Sequence, residues 1–291
     1  MMLSPYLDAT MVVTVSYNSS AQLDAFLESV RCSEPHAVQV IIADNHSADV
    51  AASRTVADVF GAKLLELTEN RGYGGAINAA VAKLPPEIDF ILISNPDVEV
   101  KPGAISALLN EMVKDDEIGA IGPQVLNPDG STYPSARKLP SLRTGIGHAC
   151  FARAWPSNPW TRAYRAEHEG TSIKRTVGWL SGSCLLVRRS AFQQLDGFDE
   201  GYFMYFEDVD LGYRLGKFGW TNVYFPSAEV VHTGAVSTSA ESVKMIKAHH
   251  DSALRFLEKK YAAGPLAPVR WALRLALAVR AYVFTRSDRL G

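Results

Sequence analysis

Short unbroken apolar runs alternate with amphipathic stretches through the first third of the chain, and each run ends in a polar cluster. Met11 to Ser16 (MVVTVS) is β-branched and apolar, the composition of a strand buried on both faces, and Ser19 or Ser20 is placed to cap the helix that follows. Leu23, Phe26, Leu27 and Val30 recur at helical spacing. Val38 to Ala43 (VQVIIA) predicts a second buried strand, closed by Asp44-Asn45-His46-Ser47-Ala48-Asp49. A helix is expected through about Phe60, a third strand over Lys63 to Leu67, and a glycine-rich loop at Asn70 to Gly75 opening a helix over Ala76 to Leu84. Phe90 to Ser94 (FILIS) predicts a fourth strand, ending at Asn95-Pro96-Asp97.

Strands alternating with helices at this length imply an α/β fold, a mostly parallel sheet flanked by helices on both faces. In such sheets ligands bind beyond the carboxyl ends of the strands, where the polar clusters at 17–20, 44–49, 70–75 and 95–99 all fall. After Pro123 the pattern loosens, and residues 127–175, rich in Pro, Gly, Arg and Trp, read as loops. Regular structure is expected again at Val177 to Arg188, in a helix around 207–218, in a strand near Asn222 to Phe225, and at Glu229 to His232, before a helical C-terminal third. The expected organisation is a catalytic domain over 1–235, with a nucleotide-binding half to about 125 and an acceptor-binding half over 126–235, and a helical segment over 236–291.

Composition narrows the function classes. Apolar residues make up 47% and charged residues 21% of the 291, which is globular, and a formal net charge of -2 argues against general nucleic-acid binding. Cys32, Cys150 and Cys184 are far apart and odd in number, which excludes a zinc ribbon or disulfide scaffold and fits a reducing cytoplasm. No basic-then-apolar leader opens the chain, and no apolar run approaches the ~20 residues that a spanning helix needs.

Four motifs carry candidate chemistry. Asp44 either caps a turn or accepts a hydrogen bond from a nucleotide base or ribose. The loop Asn70 to Gly75 lets backbone approach a phosphate or merely closes a turn, with Arg71 a possible partner for an anion; it matches neither the dinucleotide nor the P-loop pattern. Asp97, at the end of a central strand, either caps a Pro-containing turn or, as its position favours, points into the ligand crevice, where a divalent ion can bridge a carboxylate to a diphosphate. Glu207-Asp208-Val209-Asp210 follows the aromatic run Tyr202 to Phe206; the acids either form a solvated helix N-terminus or, partly desolvated by that apolar wall, have a carboxylate pKa raised toward that of a useful base, the reading favoured here. His232 is a further candidate contact for a metal or diphosphate.

Taken in order, these segments resemble glycosyltransferase family 2, rhamnosyltransferase branch. The match runs over about residues 10–235, through Ser16-Tyr17-Asn18, Asp44-Asn45-His46-Ser47, Asn70 to Asn78, Asn95-Pro96-Asp97, Gly182 to Arg189, Gly197 to Glu200, Phe203 to Leu211 and His232. The resemblance implies a GT-A fold and a single inverting displacement with Mg²⁺ or Mn²⁺. Donor contacts would come from Ser16, Tyr17, Asn18, Asp44, Asn45, Arg71, Gly74, Asn78, Asn95 and Asp97, with Asp44 at the base. Asp208 would be the catalytic base, with Asp210 the alternative, and Trp179, Gly182, Ser183 and Glu207 would border the acceptor. Asn95 stands where the family's metal-binding motif has its first acid, so the metal would be held by Asp97, His232, diphosphate oxygens and water.

The implied donor is a dTDP- or UDP-sugar, in the first instance dTDP-rhamnose, and the implied acceptor is a GlcNAc-diphospho-polyprenol of cell-wall linker synthesis. Competing readings are a relative moving galactofuranose or a hexose from UDP, and an idle protein that only binds nucleotide sugars. Val269 to Phe284 is apolar but broken by Arg270, Arg274 and Arg280, a pattern that fits a helix lying in an anionic membrane surface. The protein is therefore expected in the cytoplasm, peripheral on the membrane, with a homodimer through the C-terminal helices as a further expectation.

Overall fold

The computed structural model describes residues 4–34, 36, 38–141, 173–234 and 242–262. The segment Val269 to Phe284, Cys150 and most of the stretch 135–175 lie outside these described residues. The first half is a regular alternation: β1 (Thr10–Ser16), α1 (Ser20–Ser33), β2 (Gln39–Asp44), α2 (Val50–Phe60), β3 (Lys63–Glu66), α3 (Gly72–Val81) and β4 (Phe90–Ser94). The second half adds β5 (Val98–Val100), α4 (Ala104–Met112), β6 (Ile118–Leu126), β7 (Thr132–Tyr133), β8 (Ala136–Arg137), β9 (Arg175–Val177), β10 (Trp179–Leu180) and β11 (Cys184–Arg188). It closes with α5 (Arg189–Gln194), α6 (Glu207–Lys217), β12 (Thr221–His232) and α7 (Ser242–Lys260).

The main sheet runs β3-β2-β1-β4-β11-β6-β12-β5, with β7 paired to β6 and β9 to β12; β8 and β10 form a separate ribbon. The four strands from β3 to β4 are parallel, as the alternating pattern predicts. Beyond them the sheet becomes mixed, because β11 is antiparallel to both β4 and β6, and β12 is antiparallel to β5.

Side-chain alternation assigns the two faces of the sheet. Val12, Ile42, Leu92 and Leu186 face one layer, where Leu23 and Phe26 of α1 and Ile105 and Leu108 of α4 cover them. Met11, Val13, Ile91, Ile93, Leu185 and Val187 face the other, beneath Ile77 and Ala80 of α3, Phe192 of α5, and Leu211 and Leu215 of α6. Burying each such side chain contributes roughly 1.5–3 kcal/mol, which holds the strand ends in fixed register. A third cluster of Tyr202, Val209 and Phe256 ties α7 to α6.

The helix expected over 76–84 instead begins at Gly72 and ends at Val81. Its glycines sit in the first helical turn, because the backbone of Phe203 leaves no room for a side chain there: a Cβ on Gly72 would stand 2.2 Å from the Phe203 carbonyl oxygen. The early end fits Pro85, which disfavours helical geometry in the residue before it.

Candidate active site

At the carboxyl ends of β1 and β2, two loops are stapled together. The Asn18 backbone, in the left-handed region at φ 52°, donates to Ser47 Oγ at 3.0 Å, and Asn18 Oδ1 accepts from Ala48 N at 2.8 Å. Ser16 is buried and its carbonyl accepts from Asn45 N at 2.8 Å, while the Tyr17 ring is exposed beside them. Asp44 is buried to 1% exposure. Its Oδ1 accepts from Ser47 N at 2.8 Å, yet its Oδ2 has no donor. A buried carboxylate oxygen without a donor is costly, so this atom is a ready acceptor for an N–H or O–H brought by a ligand.

The glycine-rich turn is built mainly by contacts to residues 198–203. Asn45 holds its start, donating to Asn70 Oδ1 and to the Gly72 carbonyl and accepting from Arg71 N. Asn78 uses both ends of its amide on this partner segment: Nδ2 donates to the Phe198 carbonyl at 2.9 Å and to Glu200, and Oδ1 accepts from Phe198 N at 2.9 Å. Gly74 leaves space for the Phe198 side chain, which a Cβ would meet at 2.8 Å. Gly74 and Asn78 are thus both engaged with the 198–200 segment. Arg71 pairs with Glu200 at 2.8 Å, and both side chains remain partly exposed.

On the neighbouring strand end, Asp97 Oδ1 lies 3.1 Å from His232 Nε2, and the Asp97 side chain is only 7% exposed. Asn95 Nδ2 lies 3.5 Å from the same imidazole nitrogen. The antiparallel pairing of β5 and β12 sets His232 opposite Val98, next to Asp97. Among the described residues no three His, Cys, Asp or Glu side chains form a metal cluster. One carboxylate and one imidazole nonetheless suit a divalent ion whose other positions are filled by phosphate oxygens and water.

The acidic motif is presented by a strained turn. Tyr205 and Phe206 both take left-handed backbone, at φ 67° and 66°, immediately before α6. Such conformations are costly for large residues and collect at functional sites. Glu207 is buried and its Oε2 has no hydrogen-bond partner. Burial, then the neighbouring Asp208 charge, push its pKa up to about 8. Asp208 accepts from Gly182 N at 3.0 Å and from Val209 N at 2.8 Å. Burial also raises its pKa, opposed by those backbone donors and by the Arg137 charge.

Asp210, the alternative base, has different partners. It is fully buried and ion-paired to Arg214 at 2.5 Å and to Lys259 of α7 at 2.7 Å, so two cations engage its carboxylate.

The two halves of the site are joined through the 181–183 turn. Asn95 N donates to the Ser183 carbonyl at 2.9 Å, while the next residue back, Gly182, binds Asp208. Ser183 Oγ is buried without a partner at this junction. Trp179 packs its Cβ on Gly212 of α6, and the Arg137 guanidinium stacks on its indole at 5.7 Å. Two residues here had not been singled out by sequence. Arg137 lies in a segment without periodicity, and Tyr73, whose Oη donates to the Gly182 carbonyl at 2.7 Å, is an aromatic standing within a glycine run.

Residues 11–196 match the family described as Glycosyl transferase family 2, and residues 160–286 match Glycosyl transferase family group 2. The chain is 47% identical over 290 residues to the N-acetylglucosaminyl-diphospho-decaprenol L-rhamnosyltransferase of Mycobacterium tuberculosis (strain CDC 1551 / Oshkosh), covering 97% of this chain and 94% of that protein. It is 26% identical to Rhamnosyltransferase WbbL of Escherichia coli (strain K12), covering 86% of this chain and 92% of that protein. The fold is similar to the mannosyltransferase PcManGT of Pyrobaculum calidifontis, solved with GDP-Man and Mn²⁺, at a TM-score of 0.60 and 16% identity, covering 100% of this chain and 78% of the other. It is also similar to GalNAc-T7, solved with UDP, GalNAc and Mn²⁺, at a TM-score of 0.65 and 14% identity, covering 94% and 55%.

Proposed function

The chain belongs to glycosyl transferase family 2, and from that premise we propose that it moves L-rhamnose, with inversion, from dTDP-rhamnose to a GlcNAc-diphospho-polyprenol acceptor. The observation that carries the reading is Asp208, which is aimed by two backbone N–H groups and linked through the 181–183 turn to the strand end that bears Asp97. Support for the sugar and the lipid comes from the 47% identical mycobacterial relative, named as a decaprenol-linked L-rhamnosyltransferase.

In this mechanism Asp208 takes the proton of the acceptor hydroxyl as that oxygen attacks the anomeric carbon. The bond from the anomeric carbon to the diphosphate breaks, and its electron pair leaves with dTDP. Raised basicity helps Asp208 hold the proton, while the two backbone donors keep the carboxylate oriented. Asp44 Oδ2 would accept from the nucleotide base, and Tyr17 stands exposed beside that position. Asp97 and His232 would hold Mg²⁺ or Mn²⁺, with Asn95 alongside; the ion supplies Lewis-acid stabilisation of the departing diphosphate. Glu207, Ser183 and Trp179 would line the acceptor side.

No helix among the described residues is long and apolar enough to cross a membrane. Peripheral attachment through the arginine-bearing C-terminal segment, read from its sequence, is proposed for reaching the lipid acceptor. Deleting 265–291 should move the protein from the membrane fraction to the soluble one. The central test is calorimetry with dTDP, UDP and GDP, each with and without Mn²⁺. A Mn²⁺-dependent response to dTDP alone supports rhamnose, a response to UDP favours another sugar, and no response to any nucleotide overturns the proposal.

A further inference from the structure

Gly182 sits between two side chains. A Cβ on it would stand 3.4 Å from Tyr73 Cε1 on one side and 3.6 Å from Asp208 Cβ on the other. The Tyr73 hydroxyl donates to the Gly182 carbonyl at 2.7 Å, and the Gly182 N–H donates to Asp208 Oδ2 at 3.0 Å. Tyr73 is itself held at both ends. Its backbone N–H donates to the Phe203 carbonyl at 3.2 Å, and its ring meets Phe198 edge-on, with centroids 6.4 Å apart.

A phenylalanine would make the same ring contact, and what the hydroxyl adds is the bond to Gly182. The described residues offer the Gly182 carbonyl no other hydrogen-bond donor. Glycine gives the 181–183 turn wide backbone freedom, and an unpinned carbonyl there would let the N–H swing away from Asp208. Burial, and then the charges of Glu207 and Asp208, hold the phenol pKa well above its ordinary value, so it stays a donor across the working pH range.

The geometry points to Tyr73 as a positioning residue for Asp208, acting through the Gly182 peptide: its hydroxyl fixes the turn so that the backbone N–H orients the carboxylate. This rests on the reading of Asp208 as the base. The hydrogen bond from Gly182 favours the ionised carboxylate. Weakening it should therefore raise the Asp208 pKa and turn the carboxylate off its line of approach to the acceptor hydroxyl.

The test is Tyr73→Phe in the full chain, assayed at saturating dTDP-rhamnose with a polyprenyl-diphosphate-linked acceptor. The expected result is a fall in kcat of about tenfold at neutral pH, with the acidic limb of the kcat profile moved to higher pH. Dissociation constants for dTDP with Mn²⁺, read by calorimetry, should stay at the wild-type value. In an Asp208→Asn background the second substitution should add no further loss. An unmoved limb, whether with unchanged kcat or with weakened dTDP binding and a lowered Tm, overturns the inference and leaves Tyr73 a packing residue. Absence of transfer by the wild-type chain from any nucleotide sugar instead overturns the transferase reading, and this inference with it.

Discussion

His232 Nε2 lies 3.1 Å from Asp97 Oδ1, although 135 residues separate them in the chain. The contact is made by the last register pair between β12 and β5, so two otherwise unrelated segments meet at one strand end. A histidine paired this way can hold a carboxylate in place or share a cation with it, and removal of such a partner typically costs about 10–100-fold in metal affinity. On the proposed reading, His232→Ala should raise the Mn²⁺ concentration needed for half-maximal transfer by about that factor. Asp97→Asn should cost more, because it removes the charged ligand. A Mn²⁺ titration of the initial rate distinguishes these outcomes from a purely structural pair, for which the titration midpoint would not move.

Asp208 and Asp210 are two residues apart on one helix but face different surroundings. Asp208 is held by the Gly182 and Val209 N–H groups, whereas Asp210 is locked between Arg214 and Lys259. Asp208→Asn should lower kcat by about 10²–10⁴ while donor affinity, followed by calorimetry, is unchanged. Asp210→Asn should instead lower stability and spare the acidic limb of the pH profile. Retained turnover in Asp208→Asn together with loss in Asp210→Asn would reverse the assignment.

Much of the site was legible because its residues stand at the ends of apolar runs. Phe90 to Ser94 is the observed β4, and the acids Asp44 and Asp97 lie where strand ends deliver ligand contacts. What could not be read were contacts across long separations. The partners of Arg71 and Asn78 lie 120 or more residues away in the 198–200 segment, and no local pattern announces them. Nor does an apolar run state its direction. Regular structure was expected at Val177 to Arg188, but nothing in Leu185, Leu186 and Val187 announces that β11 runs antiparallel between β4 and β6. The helix start at Gly72 was hidden because glycine ordinarily opposes helix, whereas here its small size admits the Phe203 backbone.

Glu207 gives the fold a particular pH dependence. Its pKa is raised to about 8, so the native state keeps a proton that the unfolded chain releases near pH 4.3. Between those values the native state binds more protons than the unfolded one, and stability falls as pH rises. The contribution is therefore fully present in acid and lost as pH passes about 8. Glu207→Gln removes the titration, so thermal melts of this variant should depend less on pH between about 5 and 8 than those of the wild type. Parallel melting curves for the two proteins across that range would place Glu207 in a better-solvated setting.

Lys259 joins two carboxylates, lying 2.7 Å from Asp210 Oδ1 and 3.0 Å from Asp199 Oδ2. Arg255, one turn earlier on α7, also binds Asp199, at 2.9 Å. Phe256 is buried between them against Phe206 and Tyr213. Helix α7 thus grips both sides of the turn that carries Tyr205 and Phe206 into Glu207 and Asp208. Lys259→Met keeps most of the side-chain volume but leaves Asp210 buried with Arg214 as its remaining cation. A charged group deprived of one partner in that way costs about 1–3 kcal/mol, which should appear as a lower urea midpoint with an unchanged slope. Because Asp208 keeps both backbone donors, the acidic limb of the kcat profile should stay where it is in the wild type. A shifted limb in Lys259→Met would mean that α7 also tunes the base and does not only hold the turn in place.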